Sequence, residues 1–229
     1  MTGLNSFPID LVLFGVVALL LVLRLRSILG KRTGFERPPQ PLSPRIAEPL
    51  PVNGRAGPVI DGTAAVAPLK SRAMPEPASE IGQVLARMAM LDPSFSSQGF
   101  LDGAERAFRM IVLAFAAGER AKLRPLLGDD MYRAFDTAIG AREAAGETQT
   151  TEIKAMPAIT YEAAEIHGAS VGELSVRFVS DQINMTVSRD GKPVAGTDAV
   201  TEIVDIWTFE RDLANRKDPS WRLVAARSA

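Results

Sequence analysis

Asp205 is the side chain whose neighbours best fit acid–base chemistry. It stands in VTEIVDIWTFERD at 200–212. If that stretch is a strand, Ile203, Asp205, Trp207, Phe209 and Arg211 share one face, and Val204, Ile206, Thr208 and Glu210 share the other. A carboxylate set among aromatic rings loses hydration, its pKa rises, and it could then exchange protons near neutral pH. The competing reading is a structural carboxylate satisfied by a backbone group, an arginine or an indole N–H such as that of Trp221. The structural reading is preferred, because an acid–base dyad needs a second group and none stands beside Asp205. His167 is the one histidine, and in EIHGAS, next to Gly168, it reads as an exposed turn residue. With no cysteine and a single histidine, thiol chemistry, disulfides, Ser-His pairing and His/Cys metal ligation find no support. The carboxylates show no ligand-like spacing, and no glycine-rich phosphate loop occurs. The expectation is no catalytic residue, no cofactor, no metal and no enzymatic activity.

Charge separates the chain into a basic base and an acidic head. Residues 1–78 carry nine Lys/Arg and five Asp/Glu, residues 79–229 seventeen and twenty-two, within a net charge of −1. An acidic head disfavours direct nucleic-acid binding, since phosphate attracts the opposite sign. A basic base suits anionic lipid, at about 1 kcal/mol for each Lys or Arg near the surface.

The base is organised by an apolar run at 11–23: Leu11, Val12, Leu13, Phe14, Val16, Val17, Leu19, Leu20, Leu21, Val22 and Leu23, broken only by Gly15 and Ala18. Phe7, Ile9 and Leu25 extend it to about 28 Å of helix, near the thickness of a bilayer core. A secretory signal would place basic residues before the run and a small-residue cleavage site after it. Here Arg24, Arg26, Lys31 and Arg32 all follow, and none precedes. Residues 1–29 therefore read as a single-pass anchor with the N-terminus outside, the rest cytoplasmic and the basic flank on anionic lipid. A buried core helix is the alternative. Residues 30–78 hold ten of the sixteen prolines and no periodicity. They read as a disordered tether with a coil dimension of about 40 Å.

A domain begins at 79. Ser79 can cap a helix over 80–91 with Ile81, Val84, Leu85, Met88 and Leu91 on one face, and Asp92-Pro93 ends it. Packing on its own domain is the favoured use of that stripe; Ile81, Val84, Leu85 and Met88 are also the residues expected to serve a docking surface. Further helices are expected over 99–117, 119–127 and 129–145, with Gly118 and Gly146 as stops. The period then changes, and 151–165, 173–189, 195–212 and 221–227 read as strands, with a hairpin turn at Asp190-Gly191. Helices followed by a meander give an α+β domain over 79–229, the sheet curled over the helices.

RLRSILGKRTG after the anchor, DPSFSSQGFLDGAERAFRMIVLAFAAGERAKLRPLL at 92–127, VTEIVDIWTFERD at 200–212 and DPSWRLVAARS at 218–228 closely resemble the bacterial Tim44-like family. These are relatives of the tether of the mitochondrial import motor. The resemblance implies a cone similar to nuclear transport factor two, with a curved antiparallel sheet around helices and an apolar pocket. Phe108, Phe115, Asp205, Trp207 and Phe209 would line that pocket. It also implies a membrane-anchored adaptor that docks protein machinery for translocation or assembly at the bacterial inner membrane. The partners would be anionic lipid and a membrane-associated protein complex. The alternative is a cone that binds a small apolar ligand or lipid, and, further off, an isomerase- or dehydratase-type pocket. The chain has its own anchor and lacks the long charged helical region of the mitochondrial member, so chaperone tethering does not carry over.

Overall fold

The computed structural model describes residues 72–229. The anchor at 1–29 and the tether up to residue 71 lie outside the described residues. Among the described residues no helix is long and apolar enough to cross a membrane. The order is α1 (Glu80–Leu91), α2 (Ser97–Ala117), a single-turn α3 (Arg120–Leu123), α4 (Asp129–Ala145), then β1 (Thr148–His167), β2 (Val171–Val187), β3 (Pro193–Asp212) and β4 (Arg222–Ser228). The expected α+β class is what forms.

Local chemistry sets the boundaries. Ser79 Oγ accepts from the Gly82 N–H at 3.1 Å. Ser96 Oγ accepts from the Gly99 N–H at 3.2 Å, so α2 starts two residues before the expected 99. Gly118 and Gly146 end α2 and α4 with φ of 71° and 69°, a left-handed conformation that favours glycine. The helix expected over 119–127 shrinks to one turn, because Pro125 cannot donate to the turn before it. The chain instead pairs with β4: the Gly128 N–H donates to the Leu223 carbonyl at 2.8 Å, and the Leu223 N–H to the Leu126 carbonyl at 2.9 Å.

The sheet is an antiparallel meander in the order β1-β2-β3-β4. Bulges along β1 between Ile153 and Ala163, and in the β3–β4 pairing at Thr208/Phe209, bend it over the helices. Its inner face presents Leu174, Val176 and Phe178 of β2 and Trp207 and Phe209 of β3 to Leu101, Phe108 and Ile111 of α2. Phe108 is fully buried, its ring centre 4.6 Å from Phe178 and 4.5 Å from Trp207. Past Phe178 the same face turns polar. Thr151 Oγ1 donates to Asn184 Oδ1 at 2.6 Å, Asn184 Nδ2 to Gln182 Oε1 at 3.2 Å, and Gln182 Nε2 to Ser180 Oγ at 2.8 Å. Such a seam is tolerated in the interior because each member has a partner.

The stripe of α1 faces inward except at Leu91, which is exposed. Leu85 and Met88 are buried in the core, with Ile81 and Val84 packed against it. Met88 reaches Gly172 of β2, where an added Cβ would lie 3.2 Å from its methyl group, 3.2 Å from Leu213 and 3.2 Å from Trp221. Leu85 and Met88 thus spend their apolar surface on the domain itself, while Ile81 and Val84, the other residues expected to serve docking, pack against the core and stay partly exposed. The hydrophobic effect makes no distinction between a core face and a docking face of the same pattern.

Candidate functional site: a groove beside the central helix

The loop between α1 and α2 is held from inside. Asp92, besides ending α1, accepts from the Ser94 hydroxyl at 2.6 Å and the Ser94 N–H at 2.9 Å through Oδ1. Its Oδ2 accepts from Arg211 Nη2 at 2.6 Å, with both side chains buried. The Ser94 hydroxyl and N–H, and then Arg211, hold the Asp92 carboxyl below the usual carboxylate range against the opposing effect of burial. Arg211 Nε is buried without a hydrogen-bond partner. The buried Tyr161 hydroxyl donates to the Ser97 carbonyl at 2.8 Å and ties β1 to the start of α2.

Between this loop, the outer side of α2 and the chain leading into β4 lies a groove of about 430 Å³. Phe95, Phe100, Phe209 and Trp221 supply aromatic walls, Met110 and Leu126 aliphatic ones, and Arg106 and Arg211 the charge; no carboxylate lines it. Phe100 meets Trp221 edge-on at 4.9 Å and Phe209 at 5.9 Å, an arrangement that fixes the wall without closing it.

The residues expected to line a pocket fall in several places. Phe209 lines the groove. Phe108 and Trp207 fill the space between α2 and the sheet, so the interior there is packed core. Phe115 packs edge-on against Phe135 of α4 at 4.9 Å, under the Arg142 guanidinium. Asp205 is on the expected face, opposite Phe178 and Ser228 in the register. Burial pushes its pKa up to about 6, and its partner is the Ser228 hydroxyl at 3.3 Å rather than a backbone group, an arginine or the Trp221 indole. His167 is exposed, with Glu173 at 3.4 Å and Glu165 at 3.8 Å. Among the described residues no group of three or more His, Cys, Asp or Glu is placed to hold a metal ion. The anchor and basic-flank residues, Leu11 to Arg32, lie outside the described residues.

The sequence reading did not find the Asp92–Arg211 pair. The one available signal was a cation, Arg211, on the apolar face of a strand, which asks for a buried partner.

A family model described as the Tim44-like domain matches residues 81–228. No curated protein matches the chain. Among solved structures, the intermembrane space region of the chloroplast protein ARC6 is similar at 7% identity and a TM-score of 0.43, covering 59% of this chain and 98% of that one. An NTF2-like protein of unknown function in nutrient uptake from Rhodospirillum rubrum is similar at 16% identity and a TM-score of 0.30, covering 58% of this chain and 98% of that one.

Proposed function

This chain belongs to the Tim44-like domain family, and from that premise we propose that it is a membrane-anchored adaptor. The anchor at 1–29 holds it in the bacterial inner membrane with the N-terminus outside, the basic flank rests on anionic lipid, and the cytoplasmic head docks protein machinery. The observation that carries the reading is the family match over almost the whole described domain, behind an apolar run followed by Arg24, Arg26, Lys31 and Arg32. A tether of this length raises the local concentration of whatever the head binds without any new contact. The head binds rather than turns over substrate. In support, Asp205 makes its hydrogen bond to a serine, and no second titratable group accompanies it in that bond.

A reporter fused after Ala229 tests topology; activity only on the outer side of the membrane would refute the cytoplasmic placement. Alkaline carbonate should leave the protein in the membrane fraction. Crosslinking in intact cells should return one reproducible membrane-associated complex, and none would remove the adaptor reading. A second reading, a cone that takes a small apolar ligand or lipid, draws support from the groove. Thermal shift with apolar ligands tests it.

A further inference from the structure

The chain enters the domain beside the groove. Pro77 lies against Gly82 of α1, where an added Cβ would fall 2.9 Å from it. Five residues earlier, Arg72 pairs with Asp102 and Glu105 of α2, and Glu105 also accepts from Arg109 Nη2 at 3.0 Å. Asp102 and Glu105 are each followed by a groove residue, Gly103 and Arg106. One residue along a helix is a rotation of about 100°, or about 10 Å around its surface, and about three residues of extended chain cross that distance. The residues just ahead of Arg72 are therefore held within reach of the groove. They also have the composition to fill it. Residues 62–69, GTAAVAPL, carry no charge, and Asp61 and Lys70 bound the run. The groove matches them: Phe95, Phe100, Trp221, Met110 and Leu126 line it, Met110 is 51% exposed, and no carboxylate is present. An apolar run laid against such walls leaves water without stranding a charge.

We propose that the groove is the docking site of this chain's own segment 64–69, AAVAPL, laid in it in extended form. Ser71, Lys70 and Leu69 make the crossing, which keeps Lys70 beside the acidic flank of Asp102 and Glu105 and brings Pro68 first onto the aromatic wall. Proline suits that place, since it has no N–H to leave unpaired and arrives already extended. A segment attached this close to its site has an effective concentration on the order of millimolar, so even weak contacts hold it there. The consequence is competition. A partner or apolar ligand that uses the groove must displace the segment, and its affinity is lowered by the fraction of groove left open. This inference goes beyond the adaptor reading and does not rest on it.

The test uses the full chain in lipid nanodiscs, labelled with 5-fluorotryptophan. The chain has two tryptophans, Trp221 in the groove wall and Trp207 in the core, so fluorine NMR gives one reporter at the site and one internal control. Trp221→Phe assigns the signals. A soluble gadolinium chelate then measures exposure. Val66→Asp combined with Pro68→Asp should shift the Trp221 signal and speed its relaxation about fivefold, as expected if the segment occupies most of the population. The Trp207 signal should stay in place, because both substitutions lie outside the domain. A peptide of residues 61–71 added to that variant should restore the protection of Trp221 saturably, at concentrations on the order of millimolar. The same peptide with Asp at both positions should not. Equal exposure of Trp221 in the wild-type chain and the variant overturns the proposal, and so does a peptide that restores nothing. If Pro49→Asp combined with Pro51→Asp exposes Trp221 instead, another stretch of the tether fills the groove and the assignment of 64–69 is wrong. Protection that falls on dilution of the wild-type chain would give the groove to a second copy and equally overturn it.

Discussion

Two charged side chains six residues apart on one face of β3 live under opposite rules. Arg211, beside the loop between α1 and α2, is buried against a carboxylate that the Ser94 hydroxyl and N–H also hold. Asp205, nearer the polar seam, is withdrawn from water beside a hydroxyl. The first site keeps its charges by pairing them. The second relieves its charge by binding a proton more tightly. Burial alone therefore does not decide whether a charge stabilises a fold; the partner does.

Removing the partner at the first site should have the largest effect. Arg211→Met leaves the Asp92 carboxylate buried without its cation and should cost about 3–5 kcal/mol in urea unfolding. The double variant Asp92→Leu with Arg211→Met should lose clearly less than the two single losses combined. A single-variant cost below about 1 kcal/mol would mean that the pair is solvated, and the contrast with Asp205 would collapse.

Arg142 sharpens the comparison with a cation that pairs with carbonyls instead. From α4 it donates to the Phe115 and Ala116 carbonyls at 2.7 and 3.0 Å, satisfying the end of α2, and to Gln149 at 2.5 Å. Burial lowers its pKa, the direction expected where desolvation outweighs nearby charge. Arg142→Ala should cost about 1.5–3 kcal/mol. Faster amide exchange at the C-terminal turn of α2 should accompany the loss.

Asp205→Asn should give the smallest change and the clearest sign. The folded pKa of about 6 lies above the ordinary aspartate value of 3.8, so the fold binds the proton more tightly than the unfolded chain. The contribution of Asp205 to stability should rise as pH falls from about 7 to about 4, by about 1–2 kcal/mol after allowance for solvent screening beside the end of β4. Asparagine should flatten that slope and stabilise the domain at pH 8. Asp92, with its lowered pKa, contributes in the opposite sense: its stabilisation is present above the unfolded carboxylate range and is lost as pH falls through the folded value. Denaturation midpoints between pH 3 and 8 separate the two slopes.

What could be read from the residues was what their immediate neighbours determine. Ser79, Gly118 and Gly146 mark helix ends through bonds within a few residues, and the α+β order follows from the change of period. The Asp92–Arg211 pair spans 119 residues of sequence, and no local pattern carries it. Alternation placed Asp205, Trp207 and Phe209 on one face correctly but could not say that Phe108 fills the space they look into. The same limit applied to α1, where one stripe of Val84, Leu85 and Met88 serves equally well for a core or for a partner. Only packing decides between those uses.

Arg72 has a mechanical consequence. It clasps Asp102 and Glu105 of α2, and Glu105 also holds Arg109 at 3.0 Å. Tension arriving along the chain ahead of Arg72 is thus delivered first to the flank of the central helix, as shear. Partly exposed ion pairs are weak, so the clasp yields under a small load, while α1, anchored through Leu85 and Met88, takes up force only afterwards. The domain has a fuse ahead of its core.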